Sequence, residues 1–373
     1  MRIAFYAPLK APGQGFAPSG DRRVAGLLMA ALAHSGERVE LVSTFRSFDA
    51  DGDLARQEAL RRQGESLAQR LAEGWRAGPA NLRPDLWFTY HVYYKAPDWL
   101  GPAVSQALGI PYVIAEASYA EKRAGGPWAI GHAAAADAIA HARLVLSPSR
   151  DDVAGLQALV PKERIVHLPP FLHAELYRAA GKKRKQHREQ LARARGLDPA
   201  VPWIVVAAMM RAGDKLASYR ELADALSQLT DLPWRLVVAG DGSGRKQVEQ
   251  ALEQAAPGRT CFLGTLEARE LATVYAACDL YAWPAVNEAY GMSLLEAQAA
   301  GVPVVSRPLR GVPDVVMDGR TGLLTNDLTV GLRALLTDPK RREALGREAA
   351  AFIHSERSLD AAAQRLGKLL AAL

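Results

Sequence analysis

The chain is expected to be an α/β protein made of two similar parallel-sheet domains, and three observations predict this. Short apolar, β-branched runs alternate with amphipathic helical patterns, as in strands joined by crossover helices. The alternation pauses across roughly residues 170–200, where a basic segment lies, and then restarts. The length, 373 residues, exceeds one ordinary core and suits two.

In the first half, RIAFYAPL is strand-like and runs into a Gly/Pro-rich loop, KAPGQGFAPSG. From Asp21, RRVAGLLMAALAHSG has helical spacing and stops at Gly36. RVELVST is the next strand, and Asp53 to Arg76 is helical, with apolar residues near every third or fourth position. DLWFTYH, IPYVIAEA and RLVLSP continue the strands, and IVHLPPFLH closes the series. In the second half, PWIVVAA, WRLVVAG, RTCFLG, DLYAWP and VPVVS are the strands, with helices starting near Lys215, Ser243 and Glu267. After Gly322-Leu323-Leu324 the chain is helical to its end. These breaks place the domains at residues 1–170 and 171–357.

Composition narrows the function classes. Hydrophobic residues at 49% and charged residues at 23% fit a globular protein with real cores. A net charge of +6 suits anionic partners, whether nucleotide diphosphates, an anionic lipid surface or nucleic acid, and selects none of them. Cys261 and Cys278 lie in apolar stretches without CxxC or metal spacing, which predicts buried, reduced thiols in a cytoplasmic protein. The N-terminus lacks signal-peptide features, and no apolar run approaches the ~20 residues of a membrane span. The run KKRK from Lys182 reads as a solvated linker; its sharper alternative is peripheral contact with an anionic membrane or polyanionic acceptor. Nucleic acid is not expected, because no aromatics interleave with the basic residues.

The most informative stretch is AWPAVNEAYGMSLLEAQAAGVPVV, from Ala282 to Val305. A strand runs into Pro284, a polar turn carries Glu288, a short helix carries Glu296, and Gly301 and Pro303 close it. Glu288 thus falls at a strand's carboxyl end, the edge where open α/β sheets bind ligands. Backbone amides near Gly291, Met292 and Ser293 point out of a helix N-terminus, a seat for phosphate. Each glutamate has a plainer alternative: Ser293 and Glu296 match a capping box, and Glu288 fits a solvated loop.

Together with Tyr290-Gly291, AGVPVVS and GVPDVVMDGRTGLL, the Glu288–Glu296 spacing resembles the E-x7-E signature of retaining glycosyltransferases of family 4. That resemblance implies the GT-B fold, two Rossmann-like domains facing across a central cleft, with the last helix, Ser358–Leu373, packing back on the first domain. It implies that Glu288 and amides near Tyr290–Met292 hold the donor sugar and that Glu296 binds the ribose. Gly291 and Ser293 belong to the same donor-binding turn.

Other candidates lie at strand-to-helix junctions. Arg211 and Lys215 are two cations that can meet a diphosphate and stabilise the departing leaving group; surface cations at a helix start are the alternative. Family members have an Arg and a Lys here, usually one residue further apart and followed by glycine; Leu216 replaces that glycine. GDGSGR, from Gly240, is a glycine-rich turn without a dinucleotide fingerprint. By resemblance, Gly240 lies near the nucleotide, and Gly264 and Leu266 read the base. In the first half, Gly20 lets an amide approach the donor phosphate, and Asp21 reads as an N-cap. His91, at a strand end, corresponds to a family histidine close to the sugar; a structural histidine is the alternative. Glu116, Ser118 and Lys122 are candidates to face an acceptor.

The expected function is therefore retaining transfer of a sugar from a nucleotide-diphosphate sugar to a glycan, lipid or small-molecule acceptor. No metal and no cofactor are implied, because no Asp-x-Asp lies in the candidate loops. The alternatives are a nucleotide-sugar epimerase on the same fold and a catalytically silent sugar-nucleotide binding protein. A nicotinamide-dependent dehydrogenase is disfavoured by the missing fingerprint.

Overall fold

The computed structural model describes residues 1–13, 19–288 and 291–373. Two compact units emerge: Met1–Pro169 with Leu359–Leu373, and Pro170–Ser358.

Unit 1 alternates β1 (Arg2–Tyr6), α1 (Gly20–His34), β2 (Arg38–Ser43), α2 (Leu54–Ala77), β3 (Leu86–Val92), α3 (Gly101–Leu108), β4 (Tyr112–Ala117), α4 (Ala129–His141), β5 (Leu144–Ser147), α5 (Val153–Leu156) and β6 (Ile165–His167). Its six strands are parallel, in the order β2-β1-β3-β4-β5-β6. The central strands β3 and β4 are almost wholly buried apolar runs, as expected of a sheet covered on both faces. One buried carboxylate, Asp98, is satisfied by the Thr89 and Tyr112 hydroxyls at 2.5 and 2.8 Å and by the amides of Leu100 and Gly101, both at 2.8 Å. Burial pushes its carboxyl above the usual range.

Unit 2 begins with α6 (Ala174–Gly181) and α7 (Arg184–Arg195), then runs β7 (Trp203–Ala207), α8 (Asp214–Ser227), β8 (Arg235–Ala239), α9 (Arg245–Ala255), β9 (Thr260–Gly264), α10 (Ala268–Ala277), β10 (Leu280–Trp283), α11 (Met292–Ala299), β11 (Val304–Ser306), α12 (Val312–Val315), β12 (Gly322–Leu324), α13 (Leu328–Leu336) and α14 (Pro339–Glu356). Its sheet is also parallel, in the order β12-β11-β10-β7-β8-β9. The last helix, α15 (Leu359–Leu370), returns to unit 1, buries Ala362, Ala363, Leu366 and Leu370, and packs along α1.

Two sequence expectations need correction here. The basic stretch after Lys182 is not a solvated linker: it forms α7, and two of its cations are structural. Arg184 and Arg188 donate to the two oxygens of Asp279, each at 2.8 Å, and to the carbonyls of Ala276 and Ala277 at the end of α10. Cations there satisfy the terminal carbonyls and oppose the negative end of the helix dipole. Arg188 also stacks 4.3 Å over the Trp203 ring. The second correction concerns the thiols: Cys278 is buried, but Cys261 is only half-buried.

Candidate functional site

Both sheets reverse their winding direction partway across, the unit 2 sheet at its centre. In unit 2 the chain steps outward from β7 through β8 to β9, and the other way from β10 through β11 to β12. Loops leaving the carboxyl ends of β7 and β10 therefore diverge, and such a switch point is where open α/β sheets seat ligands. The β7 loop leads into α8 and carries Arg211 and Lys215; the β10 loop carries Glu288.

Lys215 and Glu288, 73 positions apart, meet at this point. Lys215 Nζ donates to Glu288 Oε2 at 2.5 Å, with the side chains 20% and 19% exposed. The same Nζ lies 5.5 Å from the centre of the Trp283 ring. Lys215 sits in the first turn of α8, where a cation is unfavourable, and Glu288 offsets that cost. So Glu288 is not a freely solvated loop carboxylate. Arg211 stands exposed in the loop before α8.

A second polar chain braces the same loops. Asn287 Nδ2 donates to Asp214 Oδ2 at 2.9 Å, Arg310 donates to Asn287 Oδ1, and the Val286 amide donates to Ser218 Oγ at 3.1 Å. Ala285, Asn287 and Arg310 hold φ of 60°, 54° and 45°, so three non-glycine residues after β10 and β11 occupy the left-handed region. Such strain persists only where surrounding contacts impose it, and it concentrates at functional sites. Arg310 was missed by the sequence reasoning; its available signal was an arginine in the loop just past the strand VPVVS.

Helix α11 starts at Gly291, its N-cap, with φ 61°. The left-handed φ favours glycine there, and a Cβ would lie 2.8 Å from Leu294 Cδ1, a side-chain end that must shift to admit it. Ser293 and Glu296 do not form a capping box, because α11 has no side-chain cap and both residues lie inside it. The Tyr281 hydroxyl is 2.8 Å from Ser293 Oγ, and the Tyr275 hydroxyl donates to Glu296 Oε2 at 3.0 Å. Glu296 is a buried carboxylate, 2% exposed. Met292 opens the helix. Tyr290 lies outside the described residues.

The glycine-rich turn after β8 serves the β7 loop. A Cβ on Gly240 would come within 2.0 Å of the Ala208 carbonyl, and one on Gly242 within 2.2 Å of the Met210 carbonyl. The Met210 amide donates to Asp241 O at 2.9 Å, and Gly244 returns a bond to Met210 O at 2.8 Å. Gly240 therefore lets two loops touch backbone to backbone. Gly264, at φ 73°, accepts from the Gly240 amide at 2.7 Å. Leu266 is half-buried against the unit 2 core.

In unit 1 the winding reverses between β1 and β3. Gly20 is the exposed first residue of α1, with nothing within 4 Å of the place a Cβ would take. Asp21 is not an N-cap: Ser19 holds that place, and Asp21 is the second residue of the helix. Its carboxylate accepts from Lys10 Nζ at 3.0 Å and lies 3.4 Å from His91 Nδ1. The other ring nitrogen, Nε2, lies 3.6 Å from Glu116 Oε1. His91 and Glu116 both occupy the left-handed region, at φ 66° and 63°, on adjacent strands where Tyr90 pairs with Ala115 and Val92 with Ala117. Burial lowers the tendency of His91 to hold a proton, but the charges of Glu116 and Asp21 outweigh it and its pKa is raised. Burial likewise opposes the Asp21 charge, and His91 and Lys10 reverse that, holding its carboxyl well below the usual range. Ser118 follows β4, its amide bonded to Val92 O at 3.1 Å, and Lys122 is exposed. Among the described residues, no three His, Cys, Asp or Glu side chains cluster closely enough to hold a metal.

Known proteins resemble this chain in sequence and in fold. Residues 206–352, most of unit 2 including both switch-point loops, match the family model described as glycosyl transferases group 1. Among curated relatives, D-inositol 3-phosphate glycosyltransferase of Corynebacterium aurimucosum is 35% identical over 162 residues, 41% of this chain and 38% of the relative. The sulfoquinovosyl transferase SQD2 of Arabidopsis thaliana is 31% identical over 160 residues, 41% of this chain and 30% of the relative. The chain thus spans well under half the length of these relatives. Among solved structures, HepE of Anabaena in complex with UDP has a TM-score of 0.73 at 19% identity, covering 100% of both chains. WaaG, a glycosyltransferase involved in lipopolysaccharide biosynthesis, has a TM-score of 0.66 at 17% identity, covering 98% of this chain and 99% of WaaG. Likeness at these identities shows the fold, which is GT-B, the fold the group 1 resemblance implied.

Proposed function

We propose that this protein is a glycosyltransferase of family 4. It transfers a sugar from a nucleoside-diphosphate sugar to an acceptor with retention of anomeric configuration. The observation that carries this is the Lys215–Glu288 pair at the unit 2 switch point, inside the segment that matches glycosyl transferases group 1. Lys215 and Arg211 supply positive charge for the diphosphate, so charge building on the leaving group meets cations fixed beforehand. The N-terminus of α11, with the amides of Met292 and Ser293, adds a further positive end. Glu288 accepts from sugar hydroxyls, and Glu296 anchors the ribose. Gly240, Gly264 and Leu266 shape the nucleotide seat. In unit 1, Gly20 and His91 serve the donor's phosphate and sugar, while Glu116, Ser118 and Lys122 face the acceptor, a glycan, lipid or small molecule.

No metal ion is required in this scheme, because the cations and the helix terminus supply the positive charge. The protein works in the cytoplasm, and the exposed cations at the start of and along α7, such as Lys182, Lys183, Lys185 and Arg195, provide peripheral contact with an anionic membrane. Support for a nucleotide-sugar donor comes from the UDP held by the HepE structure and from the relatives' names, all glycosyl-type transferases. Epimerase and silent-binding alternatives gain nothing from these likenesses.

The test is calorimetry with UDP, ADP and GDP, followed by a transfer assay with sugars of the base that binds. Nucleotide release with product formation and a retained anomeric proton coupling is expected. Nucleotide binding with no turnover on a broad acceptor panel would refute the transferase assignment.

A further inference from the structure

We propose that Asp21 and Glu116 are positioning residues that hold His91 as an imidazolium, so that the unit 1 sheet edge presents a fixed cation and not a proton-accepting base. The significance for transfer rests on the proposed function above; the protonation state itself does not.

Geometry carries the inference. A neutral imidazole has one N–H and one lone pair, whereas an imidazolium has two N–H donors. Here each ring nitrogen lies at ion-pair distance from its own carboxylate, Nδ1 3.4 Å from Asp21 Oδ1 and Nε2 3.6 Å from Glu116 Oε1, although the buried Nδ1 completes no hydrogen bond. In a neutral ring, whichever nitrogen kept its lone pair would hold it beside an anion. Only the doubly protonated ring is favourable toward both.

The surroundings point the same way. The His91 side chain is 19% exposed and Glu116 15%, so water screens the carboxylates weakly. Charged or titratable groups around the ring include Asp21 on α1, with Lys10 bonded to it, Tyr90 and Tyr93 at the end of β3 and just past it, Glu116 on β4, and Asp152 just before α5. Lys10 is a cation bonded to Asp21. Desolvation works against the charged ring, yet the carboxylates prevail and the His91 pKa is raised. His91 and Glu116 both hold left-handed backbone on adjacent strands, a conformation that persists only where the surrounding structure imposes it.

One chemical consequence follows. With both nitrogens protonated near neutral pH, His91 cannot take the acceptor's proton. It acts as a cation toward a ligand oxygen, and Glu116 and Asp21 act through it.

The test is an NMR titration of histidine-labelled protein without ligand, from pH 5.5 to 9.5, with His91 assigned by the His91→Gln variant. The expected ring is doubly protonated at pH 7, with a midpoint above the ordinary histidine value of ~6.5. Glu116→Gln and Asp21→Asn should each lower that midpoint by about one unit or more, and Glu116→Asp should recover part of the loss. A singly protonated ring in the wild type at pH 7 would overturn the proposal even if the variants fold poorly. Unchanged midpoints in both folded variants would also overturn it. Absence of UDP binding to the wild type would count against the proposed function and leave the titration result untouched.

Discussion

Glu288→Gln separates two jobs that the ion pair combines. In the free protein Lys215 is engaged by Glu288 at 2.5 Å, with both side chains about one-fifth exposed. A diphosphate that recruits Lys215 must loosen or share that bond. A pair this exposed is worth about 1 kcal/mol, near the upper end for surface pairs and below a fully buried one. Removing the carboxylate frees the lysine, so UDP should bind the variant as tightly as wild type or up to ~5-fold tighter. Transfer should respond in the opposite sense. Losing charge-assisted bonds to the sugar costs roughly 1.5–3 kcal/mol, or about 10- to 150-fold in kcat/KM. Titration calorimetry with UDP and steady-state kinetics on one protein batch give both numbers. A tenfold loss of UDP affinity would refute the competition, because Glu288 would then be orienting Lys215 and not occupying it.

Other outcomes can be checked in parallel. Arg188→Ala should destabilise unit 2 by about 2–3 kcal/mol in denaturant melts, because it strips bonds from Asp279 and several carbonyls, whereas exposed Lys185→Ala should stay within ~0.5 kcal/mol. Gly242→Ala should cost more than ~2 kcal/mol in the same melts, given φ 152° and a carbonyl 2.2 Å from the new methyl; Gly20→Ala, with open space around it, should change stability by less than ~1 kcal/mol. The folded-state pKa of His91 is raised, so its stabilising contribution is complete below the unfolded value of ~6.5 and is lost as pH rises through the folded value. Transfer should lose rate over that same upper window, and a pH–rate profile flat on the alkaline side would contradict a working imidazolium. Activity should survive EDTA; full loss restored by Mg²⁺ or Mn²⁺ would contradict a metal-free site.

The fold was legible because its strands are nearly continuous apolar runs. RLVVA and LYAW have no other plausible fate in an α/β chain, and Gly301 and Pro303 punctuate the turn between α11 and β11. Local signals failed where distant partners decide. KKRKQHREQ has the composition of a solvated linker, and only Asp279 and the end of α10, some 90 residues later, make its arginines structural. Ser293-x-x-Glu296 satisfies a capping pattern, yet Gly291 starts the helix in the left-handed region and turns both side chains toward the tyrosines Tyr281 and Tyr275. The pairing of Lys215 with Glu288 depends on β7 lying beside β10, a strand order that spacing along the chain does not reveal. The left-handed backbones of His91, Glu116 and Arg310 are similarly invisible, since none is a glycine and nothing in their neighbours demands the conformation.

Diphosphate binding at the unit 2 switch point is tested most directly by titrating UDP, ADP and GDP into wild type and Lys215→Ala. One of them should bind the wild type at a single site, and the variant should lose roughly 10- to 150-fold in affinity, the equivalent of one charge-assisted bond. No binding by any of the three, or equal affinity in the two proteins, would contradict it.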